Sequence, residues 1–408
     1  MPKDLSRALY LQFIFNNKFT FMRIALVTDG IFPYVIGGMQ KHSYYLCKYL
    51  VKLGVEVDLY HTNLSSYDIR KLELFTDEEK LRINSIIIKF PESDKMPGHY
   101  LRASYKYSLA VYDALKKRAA VDFIYCKGFS GWKLAQEKRS KTINTPLAVN
   151  FHGYEMFQPA PSFKSRIEQH LLFRGPVKFI CNNADYVFSY GSKIDDVIKS
   201  IPVPASKIIS IPTGIESAWV NEHIKPTETL KKFLFIGRYE RRKGIQELTQ
   251  AIAKLTTVNC EFHFIGPIPN ENQLSKSNVI YHGSLNDQEG IKAITRSCDV
   301  LICPSYSEGM PNVIMEGMAS GLAIIASNVG AVNLLVDKEN GYLLELTELS
   351  NLHLIIENIN KLGAEDLDKM KKTSVARIRK DFLWSHIAQL HVNFFMQAVT
   401  NSKDFQTL

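Results

Sequence analysis

Apolar residues along this 408-residue chain fall into short unbroken runs. Between the runs lie glycine-rich loops and stretches with apolar residues three or four apart, the alternation expected of buried strands and amphipathic helices. Residues 23–29 read as a strand, 30–38 as a loop, and 39–53 as a helix with Met39, Leu46, Leu50 and Leu53 on its apolar stripe. Gly54 stops that helix, and 55–60 is the next strand. Residues 146–151, 183–189 and 209–214 read as further strands of the same half. The unit then recurs. A strand at 232–237 leads into the loop 238–244 and a helix with Ile245, Leu248, Ile252 and Leu255 on one face. A short strand at 279–281 follows, then two apolar runs, 299–304 and 322–327, with a loop and a helix between them. A late stretch, 382–396, is amphipathic again. Strand–helix–strand alternation of this kind builds parallel sheets covered on both faces.

The chain is long enough for two such cores. The polar stretch from Glu216 to Thr229 is the natural junction. The division expected is an N-terminal extension at 1–21, a first Rossmann-like domain at 22–215, a linker at 216–228, a second Rossmann-like domain at 229–385, and a terminal helix and tail at 386–408.

The segment between the last two runs carries the most chemistry. Glu308 and Glu316 have seven residues between them, Glu308 in the loop and Glu316 more than a turn inside the helix. Pro311 suits the first helical position, since its missing N–H would have no partner there. The amides of Asn312 and Val313 then point out of the helix start toward an anion, and Gly321 caps the far end. A ligand could lay a phosphate on these amides while each carboxylate accepts hydroxyl protons from a sugar on either side. The second candidate is the strand-to-helix loop with Arg238 and Lys243, a fork and a point charge suited to a diphosphate. Arg241 and Arg242 in the same loop are expected to face solvent. Gly37 and Gly38 open the first helix and let a ligand approach the backbone. His152 and Gly153 follow the strand at 146–151.

These residues resemble the glutamate–seven–glutamate motif of the family 4 glycosyltransferases, and Arg238 with Lys243-Gly244 resembles the family's basic loop. The likeness runs over about 22–400 of the chain. It implies the GT-B fold, α/β with two Rossmann-like domains facing each other across a cleft and a C-terminal helix crossing back to the first. It further implies that Glu308 and His152 hold the donor sugar, Glu316 the ribose, and the amides near Asn312 and Val313 the diphosphate, with Met310 and Pro311 also at the donor site. Arg238 and Lys243 would neutralise the leaving group, and Gly37 and Gly38 would lie against the donor or the acceptor. His282 is a candidate for the base. The family often has Gly in place of Pro311 and Asn in place of Thr213. Implied too are retention of anomeric configuration, a UDP- or GDP-sugar donor, a saccharide or lipid-linked acceptor, and a part in surface polysaccharide or lipopolysaccharide synthesis. The alternatives are a hydrolysing, epimerase-like enzyme on the same fold and a catalytically inactive binding scaffold.

Absent motifs narrow the field. No Gly-x-Gly-x-x-Gly follows the first strand and no P-loop occurs. The Asp-x-Asp of metal-dependent transferases has one match, Asp366 and Asp368, expected on a solvated helix face; no metal or other cofactor is expected. Six scattered cysteines lack Cys-x-x-Cys spacing and suit a reducing compartment. No apolar run approaches the roughly 20 residues needed to span a bilayer. Residues 9–15 are apolar but too short for a signal peptide, and Met22 is the expected true start, with a membrane-touching arm as the alternative.

The net charge of +9 is uneven, with 30 Lys and Arg against 20 Asp and Glu through residue 220 and 20 against 21 beyond it. Basic clusters include Lys116 to Arg118, Lys138 with Arg139 and Lys141, and Lys164, Arg166, Arg174 and Lys178 around an apolar helix. The surplus suits an anionic acceptor or membrane surface, and a cytoplasmic place at the inner face of the plasma membrane. No module for nucleic acid is recognisable.

Overall fold

The computed structural model describes residues 22–35, 37–62, 75–92, 96, 98–160, 162–255, 259–285 and 287–404. The segment 1–21, expected as an extension, lies outside them.

The strands collect into two separate parallel sheets. The first contains β1 (Arg23–Val27), β2 (Glu56–His61), β3 (Ile83–Ile87), β4 (Phe123–Lys127), β5 (Leu147–Asn150), β6 (Tyr186–Ser189) and β7 (Ile208–Ser210), in the order 3-2-1-4-5-6-7. The second contains β8 (Lys231–Ile236), β9 (Cys260–Ile265), β10 (Val279–Tyr281), β11 (Val300–Cys303), β12 (Ala323–Ser327) and β13 (Gly341–Leu344), in the order 10-9-8-11-12-13. This is the expected arrangement of two Rossmann-like sheets. Each order reverses direction once, between β1 and β4 and between β8 and β11, and loops leaving the strands at such a switch point leave a crevice for ligand. The helices that matter here are α1 (Gly38–Lys52) after β1, α2 (Ile245–Lys254) after β8, α3 (Asn312–Ser320) after β11, and the consecutive α4 (Ala364–Asp381) and α5 (Trp384–Asp404).

Side-chain alternation sorts the core. On β1, Ala25 and Val27 face one layer while Ile24 and Leu26 face the other. The Ile24 layer is closed by α5, whose Trp384, Ile387, Val392 and Phe395 are buried with β4 and β6 residues. Phe395 lies with its ring 4.5 Å from Phe123, and His391 stacks on Phe188. The last helix therefore belongs to the first sheet's core, as the family resemblance implied. The two strands of chain that cross between the domains meet each other: Ile215 N–H donates to Phe382 O at 2.8 Å and Trp384 N–H to Ile215 O at 3.0 Å. A side chain at Gly214 would come within 2.9 Å of Trp384, so the crossing requires glycine there.

Several local expectations are corrected. Pro311 caps α3 from outside in an extended conformation, and Asn312 takes the first helical position. The expected strand at 183–189 begins only at Tyr186, because a helix runs on to Asn183, and the strand at 209–214 is reduced to Ile208–Ser210. Asp368 is not on a free solvated face, since its Oδ1 accepts from both the amide and the hydroxyl of Thr227, at 2.9 and 2.7 Å. All six cysteines are free and buried.

The linker is tied to the second sheet by a buried ion pair. Lys371 Nζ donates to Asp299 Oδ1 at 2.9 Å and to Lys225 O at 2.6 Å, and the other carboxylate oxygen accepts from the Lys232 amide at 3.0 Å. Lys371 and Asp299 are 1% and 4% exposed, so losing one partner strands the other charge. Lys371→Met should destabilise the protein by about 3–5 kcal/mol, read as a lower urea midpoint at unchanged slope. Adding Asp299→Asn should restore part of the loss. An unchanged midpoint in the single variant would show that the pair does not anchor the linker.

Candidate active site

The loops from the two switch points face each other across a cavity of about 520 Å³. From the first domain it is lined by Gly37, Gly38, Lys41, His152, Gly153, Glu155 and Tyr190; from the second by Arg238, Arg242, Lys243, Glu308, Met310, Pro311, Asn312, Val313 and Glu316. Every residue expected at the donor site, apart from the base candidate His282, lines this one cleft. His282 instead lies outside the lining, its Nε2 3.0 Å from Nδ1 of His263 and the two rings stacked.

The basic loop and the glutamate loop are built together. Gly244 has φ +67°, and a Cβ there would fall 1.9 Å from Pro304 O, so only glycine lets the β8 loop pack on the loop after β11. This places Lys243 Nζ 2.7 Å from Glu308 Oε1 and Arg242 Nη1 3.6 Å from Oε2. Arg242 also donates to Ser307 O at 3.0 Å. Its expected solvent-facing position is therefore wrong. Residues 241–243 form a single 3₁₀ turn, which sends successive side chains about 120° apart. Arg241 leaves the cleft to bind Glu247 and Tyr306, while Arg242 and Lys243 enter it. Arg238 lines the rim, largely exposed, with Nε 3.0 Å from Glu240.

Burial alone would raise the Glu308 carboxyl, but Lys243 and Arg242 outweigh it and hold the group below its ordinary range. Glu316 is 8% exposed and accepts from Lys41 Nζ at 3.1 Å, a contact that joins α3 of one domain to α1 of the other. Lys41 was not singled out in the sequence. It sits one turn beyond Gly37 and Gly38, on the face that the helix start presents to the cleft. The first-turn amides of Asn312 and Val313, which have no acceptor one turn back, open into the same space.

His152 stands at φ +60° and Tyr154 at φ +52°, both in the left-handed region and so positions of backbone strain for residues with a Cβ. The Asn150 side chain fixes the first of these by accepting from the His152 amide at 2.6 Å. His152 Nδ1 is hydrogen-bonded to the Tyr190 hydroxyl. Burial, with Lys127 nearby, keeps the imidazole neutral at ordinary pH, and burial pushes the Tyr190 hydroxyl well above its usual range. The Tyr190 hydroxyl keeps its proton and occupies Nδ1, while Nε2 is a buried atom with no hydrogen-bond partner among the described residues. The two tight left-handed turns also bring in Glu155, whose carboxyl is raised by burial, lowered by Arg242 and Lys243, and raised again by Glu308. Neither Tyr190 nor Glu155 carries a sequence signal of its own; Glu155 needed the strained turns, and Tyr190 the β5–β6 pairing.

Among the described residues no three His, Cys, Asp or Glu side chains converge as a metal site. No helix there is long and apolar enough to cross a membrane.

Residues 36–219 match the family described as Glycosyltransferase Family 4, and residues 230–362 match Glycosyl transferases group 1. A glycosyltransferase of uncharacterised specificity from Methanocaldococcus jannaschii is 26% identical over 88% of this chain and 94% of its own. A Bacillus subtilis (strain 168) glycosyltransferase, named for teichuronic acid biosynthesis, is 27% identical over 40% of this chain, a match that spans 43% of that relative's length. Sucrose-phosphate synthase from Thermosynechococcus elongatus shares the fold with a TM-score of 0.77 at 20% identity, over 93% of this chain and 100% of that one. An Anabaena protein solved with UDP and glucose superposes with a TM-score of 0.62 at 16% identity, over 92% and 99%. The chain belongs to the family 4 glycosyltransferases and has their GT-B fold.

Proposed function

We propose that the protein moves a sugar from a nucleoside-diphosphate sugar, UDP- or GDP-linked, to an acceptor hydroxyl with its anomeric configuration retained, in the assembly of a surface polysaccharide or lipopolysaccharide. The observation that carries this reading is the convergence in one cleft of two carboxylates, two inward cations and the open start of α3. The solved Anabaena neighbour with UDP and glucose supports a nucleotide-sugar donor, and the Bacillus relative supports polymer synthesis.

In this reading the ribose hydroxyls donate to Glu316 and displace Lys41. The diphosphate rests on the amides of Asn312 and Val313 and takes over Lys243, Arg242 and Arg238. The sugar then lies between Glu308 and His152, which donates from Nε2 to a sugar hydroxyl. The acceptor oxygen bonds to the anomeric carbon as the bond to the diphosphate breaks, and the acceptor proton passes to the departing phosphate oxygen. Attack on the same face as departure retains configuration. Negative charge grows on the leaving diphosphate, so preorganised cations and amides stabilise the transition state more than the ground state. Holding donor and acceptor side by side supplies the rest. The basic first domain would meet an acidic membrane on the acceptor side.

Charge compensation in this scheme comes from side chains and amides. Transfer should therefore proceed in excess EDTA with metal-stripped protein, and activity lost there and regained with Mn²⁺ or Mg²⁺ would reverse the assignment.

The two glutamates should separate cleanly. Removing a charge-assisted hydrogen bond costs about 1.5–3 kcal/mol, so Glu316→Gln should weaken nucleoside diphosphate and donor alike by roughly 10- to 100-fold. Glu308→Gln frees Lys243 and Arg242 from their carboxylate. It should leave nucleoside diphosphate affinity equal or tighter while transfer falls sharply. Calorimetric titration beside steady-state transfer makes the comparison, and the opposite pattern would mean that the donor lies the other way round.

Lys243→Met removes the nearest cation from Glu308. It should weaken the nucleoside diphosphate by a comparable factor, and raise the Glu308 carboxyl toward and above its ordinary value. The ionised form is stabilised in the native protein, so the stability it contributes is present above the ordinary carboxyl range and fades as pH falls through the lowered value. Lys243→Met should lack that contribution, so it should be less stable than the unaltered protein at neutral pH, by a margin that shrinks as pH falls through the lowered value. A urea-unfolding difference that does not depend on pH would show that Lys243 does not set the charge of Glu308.

A further inference from the structure

Among the described residues, three of the large apolar side chains exposed to water fall in a row on one helical segment. Between β5 and β6, residues Phe163–Glu168 and Gln169–Phe173 form a continuous helical segment, capped where the Ser162 side chain accepts from the Ser165 amide at 3.2 Å. Phe163, Ile167 and Leu171 recur at every fourth position on it and are 77%, 43% and 73% exposed. A helix that packs on its own domain turns such a stripe inward; this one turns it outward. Arg166, His170 and Lys178 are exposed beside it. The apolar surface continues onto Tyr100, 40% exposed, whose ring lies 6.5 Å from that of Phe173.

The stripe stands beside the acceptor half of the cleft. Arg174, at the end of the segment, donates from Nε to Met156 O at 2.8 Å, and Met156 adjoins the cleft residue Glu155. An outward apolar ridge flanked by cations is complementary to an interface with apolar chains below and anionic headgroups above. A second copy of the chain would present the same cations to one another.

We infer that the segment 163–173 is a membrane-docking ridge, which enters the headgroup region of an anionic bilayer with Phe163, Ile167 and Leu171 and pairs with lipid phosphates through Arg166 and Lys178. The inference rests on the proposal above that the basic first domain meets an acidic membrane on the acceptor side. It adds the reason the cleft would open beside a bilayer, where a lipid-linked acceptor presents its head without leaving the membrane.

The test uses the full chain, vesicles of phosphatidylglycerol and phosphatidylcholine in equal parts, and vesicles of phosphatidylcholine alone. The unaltered protein should co-sediment with the acidic vesicles, and less so as salt rises, because screening shortens to about 3 Å at 1 M. Burying a large apolar side chain is worth about a tenfold change in partitioning. Phe163→Ser with Leu171→Ser should therefore weaken vesicle binding by about a hundredfold, with an unchanged melting temperature, since both side chains are exposed. Arg166→Glu with Lys178→Glu should abolish the preference for acidic lipid. Leu354→Ser, at a 46% exposed apolar residue of the second domain, should change nothing. Equal binding by the double serine variant overturns the inference, as does self-association that the same variant disperses. Turnover of a water-soluble donor and acceptor should survive both double variants. Failure of that turnover in the unaltered protein would count against glycosyl transfer and leave the vesicle result standing.

Discussion

The Lys243–Glu308 pair is the interaction on which the cleft depends. A carboxylate as buried as Glu308 is costly unless cations repay its lost hydration, and here Lys243 and Arg242 do so. The pairing is possible because Gly244 lets the loop after β8 sit directly on the loop after β11. The fold brings these loops together in turn, since β8 and β11 are the neighbours at which the second sheet reverses its order. A second lysine pair, Lys41 with Glu316, spans the two domains in the same space. The free site thus keeps its cations and carboxylates bound to each other. In the proposed reading a ligand would exchange one set of partners for another instead of charging an apolar pocket.

The cleft also explains why strain is concentrated where it is. His152 and Tyr154 take left-handed backbone within four residues of the end of β5. The result is a neutral imidazole whose Nδ1 is occupied by Tyr190 and whose buried Nε2 has no partner among the described residues. Opposite, Gly309 approaches Gly153 so closely that a Cβ on either would lie 3.1 Å from the other's backbone. The domains therefore meet through glycine at the point where the donor sugar would lie, and through lysine where the ribose would lie.

Much of this was legible in the sequence, for physical reasons. Fully buried parallel strands leave unbroken apolar runs, so β1, β8, β11 and β12 stood out, and the glycines at strand-to-helix turns marked the loops that line the cleft. The outward stripe of α5 announced a helix needing a partner, which it finds on the first sheet. What stayed hidden depends on turn geometry and on pairing at long range. Arg242 was expected in solvent because nothing in Arg-Arg-Lys tells which cation a 3₁₀ turn sends inward. Lys41 and Tyr190 gain meaning only when the sheets face each other, and Glu155 only through two left-handed residues that no propensity favours. Asp368 was taken for a surface residue because its partner, Thr227, is 141 positions away.

The central claim is that one ligand binds across both domains in this cleft. Amide hydrogen exchange with and without UDP and GDP tests it most directly. Bound nucleoside diphosphate should slow exchange together at 237–244, at the start of α3 including Asn312 and Val313, and around Lys41 on α1. Protection confined to one domain, or appearing elsewhere, would contradict a donor site shared between the two sheets.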